Sequence, residues 1–121
     1  MLVIRSAQMD VFQRAAEDRF EENMVRHLGE LFPARRGDPS LRGLIRAGIV
    51  KARAYGIETD GSIAVLIDLM AGVAPDFDER PEGAWARAIL DDRALPDDAR
   101  LDIIVEILQA REAAASAQEE A

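Results

Sequence analysis

Residues 61–73 read GSIAVLIDLMAGV, and this stretch decides the fold of the chain. Asp68 is its only charged residue, and apolar side chains recur along it at spacings of three and four residues. Its β-branched residues would also suit a strand, but its length without a turn signal and the absence of a partner strand favour a helix. A helix that is apolar nearly all round is typical of a buried core element. We therefore predict a central buried helix, capped by Thr59 or Asp60 and running to about Ala74.

A long amphipathic helix is predicted at the start of the chain. Ser6 is placed to cap it, residues 1–4 are left as an extended arm, and Phe32-Pro33 ends it because the residue before proline avoids the helical conformation. Its apolar stripe is made of Met9, Phe12, Ala16, Phe20, Met24, Leu28 and Leu31.

A second helix is predicted between this helix and the central one. Asp38 or Ser40 caps its start, and Gly56 follows its end, where a left-handed residue is common. Its apolar face carries Gly48, which predicts the close approach of another helix. The face consists of Leu41, Leu44, Ile45, Gly48, Ile49 and Ala52.

Two further helices are predicted after the central one. A loop over 75–81 leads into a short helix over 82–90 that buries Trp85, Ala88 and Ile89. Pro96 begins a last helix, because proline is tolerated in a first turn. The inner face of that helix carries Leu101, Ile104, Val105 and Leu108.

These elements define the predicted fold class, an all-α, compact single-domain bundle of about five helices. The chain has 121 residues, which is the size of one domain. The bundle is assigned to residues 1–110. Residues 111–121 form an Ala/Glu-rich polar tail that has helix propensity but nothing to pack against, so it should fray or extend into solvent.

Composition excludes several classes of protein. The chain has no cysteine and a single histidine, so disulfides, thiolate chemistry and histidine metal sites are not expected. No stretch has the roughly 20 apolar residues of a membrane span, and Arg5 leaves no room for a signal peptide. We expect a cytoplasmic protein that does not bind a membrane.

Charge is distributed unevenly along the chain. Residues 1–55 carry ten basic and seven acidic side chains, while residues 56–121 carry five basic and sixteen acidic ones. The overall charge is −8, which argues against a nucleic-acid binder because phosphate contact needs a dense positive surface. Such polarity suits the steering of a protein partner.

No group of residues in the sequence proposes an enzyme. His27 stands alone, without the acid and nucleophile that general-base catalysis needs, and the serines lie at helix caps or in the tail. A cluster of carboxylates lies at Asp76, Asp78, Glu79 and Glu82. It lacks the glycine-centred spacing of a calcium loop, so a capping, solvated loop is the favoured interpretation. We expect no catalytic residues, no metal and no cofactor.

Two surfaces are candidates for binding a partner. Arg42, Arg46 and Arg53 share one face of the second helix at spacings of four and seven residues, and this face either docks an acidic partner or forms ordinary surface ion pairs. The second surface is the loop region that contains Asp76, Phe77, Asp78 and Trp85. Trp and Arg are enriched at interface hot spots, although Trp85 also suits a core anchor for the short helix.

A set of packing and turn residues runs through nearly the whole chain: Arg5, Gln8, Met9 and Phe12, then Leu31-Phe32-Pro33, Ala54-Tyr55-Gly56-Ile57, Pro75-Asp76-Phe77-Asp78, Trp85-Ala86 and Ile89-Leu90. In these residues, none of which is chemical, the sequence resembles a group of small proteins encoded beside spike and effector genes of bacterial type VI secretion clusters. The resemblance implies an accessory role that holds, loads or neutralises an effector or spike component.

The expected function is therefore a non-enzymatic protein–protein interaction module, an adaptor or chaperone for a secretion-system effector or spike component. One alternative is an immunity protein whose acidic surface over 76–82 blocks a basic toxin. A further alternative is a small hydrolase or ligand-binding helical bundle. The sequence leaves the partner's identity and a homodimer open.

Overall fold

The computed structural model describes the backbone of residues 2–120 and the side chains of residues 16–118. This part of the chain is all-α, without a strand, which confirms the predicted all-α class with five helices and the helix over 61–73. Contacts divide the chain into two compact units, Met1–Ala47 and Gly48–Ala121. The five helices are α1 (Leu2–Leu31), α2 (Ser40–Ala54), α3 (Asp60–Gly72), α4 (Ala84–Leu90) and α5 (Asp97–Glu120).

The first unit begins with α1, which starts at Leu2. Residues 2–4 are therefore helical, and the predicted extended arm is wrong there, since no proline or glycine interrupts the helix. The side chains of Ser6, Met9 and Phe12 lie outside the described residues. Met24 and Leu28 are buried as predicted, but Leu31 is 49% exposed because α1 ends at this residue.

The start of α2 also belongs to the first unit and is capped by Asp38. The Oδ1 atom of Asp38 accepts hydrogen bonds from the amide of Ser40 at 2.9 Å and from its hydroxyl at 2.7 Å. These bonds from Ser40 lower the pKa of the Asp38 carboxyl. The predicted cap is confirmed, and Leu41 and Ile45 behind it are buried.

The second unit is built around α3, which packs against Gly48. A Cβ atom at Gly48 would lie 2.4 Å from Cγ1 of Ile67 and 3.3 Å from the sulfur of Met70. The predicted close helix approach is therefore confirmed. No residue between 62 and 71 is exposed, as expected of a central helix. Gly56, with φ at +72°, takes the left-handed conformation predicted after α2.

The two last helices complete the second unit, where α5 contacts both α3 and α4. A turn of 3-10 helix at Pro81–Gly83 precedes α4, which moves the inward face of α4 by one residue. Ala86 and Leu90 are therefore the buried residues. The predicted burial of Ala88 is wrong, since it is exposed, and Trp85 and Ile89 are only half-buried.

Helix α5 buries only its first half. Leu101 and Ile104 are buried, whereas Val105 and Leu108 are half-buried. The helix continues to Glu120, and every side chain from residue 109 to residue 118 is exposed. The Ala/Glu-rich segment therefore extends into solvent as a helix. None of the helices within residues 2–120 is long and apolar enough to cross a membrane.

Arg100 is the only arginine buried within residues 16–118, and it ties α5 to two helix ends. One guanidinium nitrogen donates to the carbonyls of Tyr55 and Leu90, each at 2.8 Å, and the other to Gly56 at 3.4 Å. The carbonyl ends of α2 and α4 carry partial negative charge, which favours a cation there. Among the described side chains, no carboxylate pairs with Arg100, and helix ends stabilise this buried charge.

Asp97, at the start of α5, holds the two residues that precede α3, of which Thr59 is the N-cap residue. Its Oδ2 atom accepts hydrogen bonds from the amides of Glu58 and Thr59, at 3.1 and 3.0 Å, and from the Thr59 hydroxyl at 3.0 Å. The hydrogen bonds from the backbone amides of Thr59 and Glu58 are the main reason that the pKa of Asp97 is lowered to about 2.

Because this pKa lies below the ordinary value of 3.8, the stabilisation from Asp97 is present above pH 4 and lost as the pH falls towards 2. We expect Asp97→Asn to lower the free energy of unfolding at pH 7 and to match the unchanged protein near pH 2. Urea unfolding followed by circular dichroism at several pH values measures the difference, with Asp98→Asn as the control. A loss that is equal at every pH would contradict this role.

Candidate functional site

A buried polar cluster holds the turn that follows α3. The side chain of Asp78 is nearly inaccessible, and its carboxylate accepts hydrogen bonds from Nζ of Lys51 and from the hydroxyl of Tyr55. Nζ of Lys51 also donates to the carbonyl of Pro75 at 3.0 Å and lies 5.9 Å from the ring centroid of Phe77. One ammonium group therefore fixes three positions of the turn from its place on α2.

The electrostatics of this cluster keep the Asp78 carboxylate charged and the Tyr55 phenol neutral. Burial acts to raise the pKa of Asp78, but hydrogen bonds from Lys51 and Tyr55 outweigh it and lower that pKa overall. Burial, and then the bond to Asp78, raise the pKa of Tyr55. A buried carboxylate is costly unless it is paired in this way, so the cluster is internally satisfied and offers no open position to a ligand.

Gly83 lies directly against the backbone of Phe77 in the same turn. A Cβ atom at Gly83 would lie 1.6 Å from the carbonyl oxygen of Phe77 and 2.7 Å from its carbonyl carbon. Only glycine allows this approach, because the neighbouring atoms are backbone. The turn over residues 75–83 is therefore closely packed and held by several contacts.

An apolar groove lies beside this turn, entirely within the second unit. It encloses about 250 Å³, and Trp85 and Val73 bring apolar surface to it, with Val73 57% exposed. We call it the Trp85 groove. Its lining residues are Val73, Ala74, Phe77, Arg80, Glu82, Gly83, Trp85, Ala86, Leu108 and Arg111.

Two arginines of the Trp85 groove have different surroundings. Nε of Arg80 lies 2.8 Å from a carboxylate oxygen of Asp76, four residues earlier. The guanidinium carbon of Arg111 instead lies 4.5 Å from the centroid of the Trp85 ring, a cation–π contact. Among residues 48–118, no carboxylate lies within ion-pair distance of Arg111. Arg111 therefore presents a cation at the edge of an apolar surface.

The arginine face predicted on α2 is largely engaged in ion pairs. Arg46 binds both carboxylate oxygens of Glu21, at 2.7 and 3.4 Å, and Arg42 lies 2.7 Å from Glu22. The bond to Arg42 lowers the pKa of Glu22. Arg53 is exposed farther along α2, in the second unit. For Arg42 and Arg46, the structure matches the alternative of ordinary surface ion pairs.

The structure buries two of the loop residues predicted to bind a partner and leaves the other two partly exposed. Phe77 is 6% exposed and Asp78 is 3% exposed, so these two do not lie on the predicted solvated surface. Burial of Asp78 follows from its pairing with Lys51, which the local sequence does not show. Asp76 is bound to Arg80, and Trp85 lines the Trp85 groove together with the edge of Phe77.

Sequence patterns missed Lys51 and Arg111, although each left a signal. Lys51 is the only lysine in a chain with fourteen arginines, and it interrupts the apolar face of α2 between Ile49 and Ala52. Arg111 is the single basic residue after Arg100 and opens a segment that is otherwise alanine, glutamate and polar residues. An isolated basic residue in an unusual context was the usable signal in both cases.

The described side chains do not assemble a metal site. Within residues 16–118, no group of three carboxylate or histidine side chains is placed to hold a metal ion. The Trp85 groove has an apolar lining that can bury an apolar group, and Arg111 at its edge can pair with a negative one. Comparison with protein-family models, curated proteins and solved structures finds no match to this chain.

Proposed function

We propose that this chain is a non-enzymatic protein–protein interaction module, an adaptor or chaperone that acts in the cytoplasm on a type VI secretion effector or spike component. The observation that carries the proposal is the Trp85 groove, where an exposed valine and the only tryptophan lie beside an arginine. The secretion partner is suggested by the sequence resemblance described above.

The groove has the chemistry of a protein interface. Aromatic residues and arginine are enriched where interfaces are most tightly bound, and Trp85 and Arg111 supply both. Exposed apolar surface gains free energy when a partner covers it. Asp78 and Gly83 hold the turn that lines the groove. Little further ordering of this turn is therefore needed when a partner binds.

The two alternative functions receive less support. The volume of about 250 Å³ is smaller than the roughly 300–1,000 Å³ of a typical small-molecule pocket, which disfavours the Trp85 groove as the site of a ligand-binding bundle. An immunity protein was expected to use the acidic surface over 76–82. There, Asp78 is buried and Asp76 is paired with Arg80, which leaves only Glu79 and Glu82.

A pair of matched valines tests the proposal. Val73 is 57% exposed and lines the Trp85 groove, while Val50 is 65% exposed on α2 and does not line it. We expect Val73→Asp to reduce the capture of an effector or spike component about tenfold, since a carboxylate resists burial in an apolar contact. Val50→Asp should leave capture unchanged. The measurement is affinity purification from the native host with quantitative mass spectrometry.

The purification also decides the broader proposal. Both variants should show unchanged helical circular dichroism, since both side chains are exposed. If neither effector nor spike components are enriched over an unrelated acidic bait, the secretion role is wrong. If they are enriched equally by both variants, the Trp85 groove is not the surface that binds them.

A further inference from the structure

We infer that the Trp85 groove binds a peptide segment that presents a large apolar side chain beside one carboxylate, and that Arg111 receives this carboxylate. The inference rests on the proposed function and specifies the chemistry of the partner at the same site. It follows from the pairing of an apolar cavity with a cation that lies within ion-pair distance of no carboxylate among residues 48–118.

The charges around the groove determine where the carboxylate must lie. Arg80 already binds Asp76, with 2.8 Å between the paired atoms, so its charge is largely engaged. Glu82 also lines the groove and repels an incoming anion. Arg111 is thus the place where a negative group gains most, and a charge-assisted bond to guanidinium is among the stronger hydrogen bonds. Its contact with Trp85 keeps the cation against the apolar surface.

The net charge of the second unit limits what the rest of the partner can be. Residues 48–121 carry seven basic and sixteen acidic side chains, a net charge of −9. A strongly acidic partner would be repelled as it comes within about 8 Å of these carboxylates, and so would a second copy of this chain. Charges farther than about 8 Å are screened at physiological ionic strength, whereas a contact with Arg111 is not. The complementary segment therefore has one local carboxylate on a neutral or basic background.

The size of the cavity argues for a side chain as its occupant. At about 250 Å³, the groove is large enough for one or two apolar side chains and too small for a typical cofactor. The described tail of this chain, residues 111–118, carries glutamate but no large apolar residue. That segment therefore lacks the anchor that the groove requires, and a separate protein partner is the occupant to which we commit.

Isomeric peptides test the inference through the fluorescence of Trp85, the only tryptophan in the chain. Two 12-residue peptides without tyrosine or tryptophan carry one Leu, one Glu and two Lys in an Ala/Gln background. In one peptide Glu follows Leu directly, and in the other it lies at the far end. We expect the first to bind about tenfold more tightly, as one charge-assisted hydrogen bond allows.

Two variants of the protein identify the side chain that binds the carboxylate of the peptide. Arg111→Gln should remove the difference between the isomers while Trp85 still reports binding. Arg87→Gln is the matched control, since Arg87 is an exposed arginine on α4 that does not line the groove. It should preserve the tenfold difference. Both sites are exposed, so the variants should retain the unfolding transition of the unchanged protein.

Each result has a defined meaning. Equal binding of the isomers, or a preference that survives Arg111→Gln, overturns the inference, and so does the absence of a fluorescence change up to millimolar peptide. Analytical ultracentrifugation that detects a dimer broken by Val73→Asp also overturns it, because a second copy then fills the groove. The proposed function is judged separately by native capture with the Val73 and Val50 variants.

Discussion

Asp78→Ala is expected to lower the free energy of unfolding by about 3 kcal/mol, which is a large loss for a domain of this size. The substitution leaves the ammonium of Lys51, whose side chain is only 15% exposed, without its carboxylate. The hydroxyl of Tyr55 loses its acceptor as well. Removing one partner of a buried pair costs more than the pair itself contributes, because an uncompensated charge remains. Urea unfolding followed by circular dichroism measures the loss.

The control for this variant lies two residues away in the same turn. Asp76→Ala breaks an exposed ion pair with Arg80 and should cost no more than about 1 kcal/mol. The double variant Lys51→Met/Asp78→Ala should be more stable than the sum of the single losses predicts, because it removes both charges. If Asp78→Ala is as mild as Asp76→Ala, the buried cluster does not hold the turn.

Tyr55 gives this prediction an independent readout. It is the only tyrosine in the chain, so ultraviolet absorbance in alkali reports the ionisation of its phenol alone. Burial and the bond to Asp78 raise its pKa in the unchanged protein. We expect the phenol of Asp78→Ala to ionise at lower pH while the protein is still folded. An unchanged titration would place Tyr55 outside the influence of Asp78.

Gly83→Ala is expected to destabilise the chain by about 3 kcal/mol, the upper end of the usual range for overpacking. The added methyl would lie 1.6 Å from the carbonyl oxygen of Phe77. Backbone atoms cannot rotate away as a flexible side chain can, so the whole turn has to move. The midpoint temperature of thermal unfolding should fall by roughly 10 °C. The Trp85 groove should also change shape, because Gly83 lines it.

Gly43→Ala is the matched control for this glycine. Gly43 lies inside α2, and a Cβ atom there would meet nothing within 4 Å. Alanine favours a helix over glycine by about 1 kcal/mol, so this variant should be stabilised. Opposite signs for the two substitutions are the decisive result. A neutral Gly83→Ala would mean that the turn is looser than its contacts indicate.

Part of the candidate site was visible in the sequence. The loop with Trp85 was singled out, and Trp85 and Phe77 do line the groove. The roles of the acidic residues were not visible, because nothing local distinguishes the buried Asp78 from the surface residue Asp76. The difference comes from Lys51, which lies twenty-seven residues earlier on another helix. Arg111 joined the site only because α5 brings it over Trp85, far from the loop in sequence.

The sequence by itself determined the helical nature of this protein. A helix is a local structure, and the spacing of apolar residues together with the capping residues specifies it. The stretch 61–73, the Asp38 cap and the left-handed Gly56 all follow from residues close to one another. Only the tertiary structure decided which charges are buried and which apolar surface stays exposed. Those outcomes depend on contacts between distant residues, and spacing along the chain does not record them.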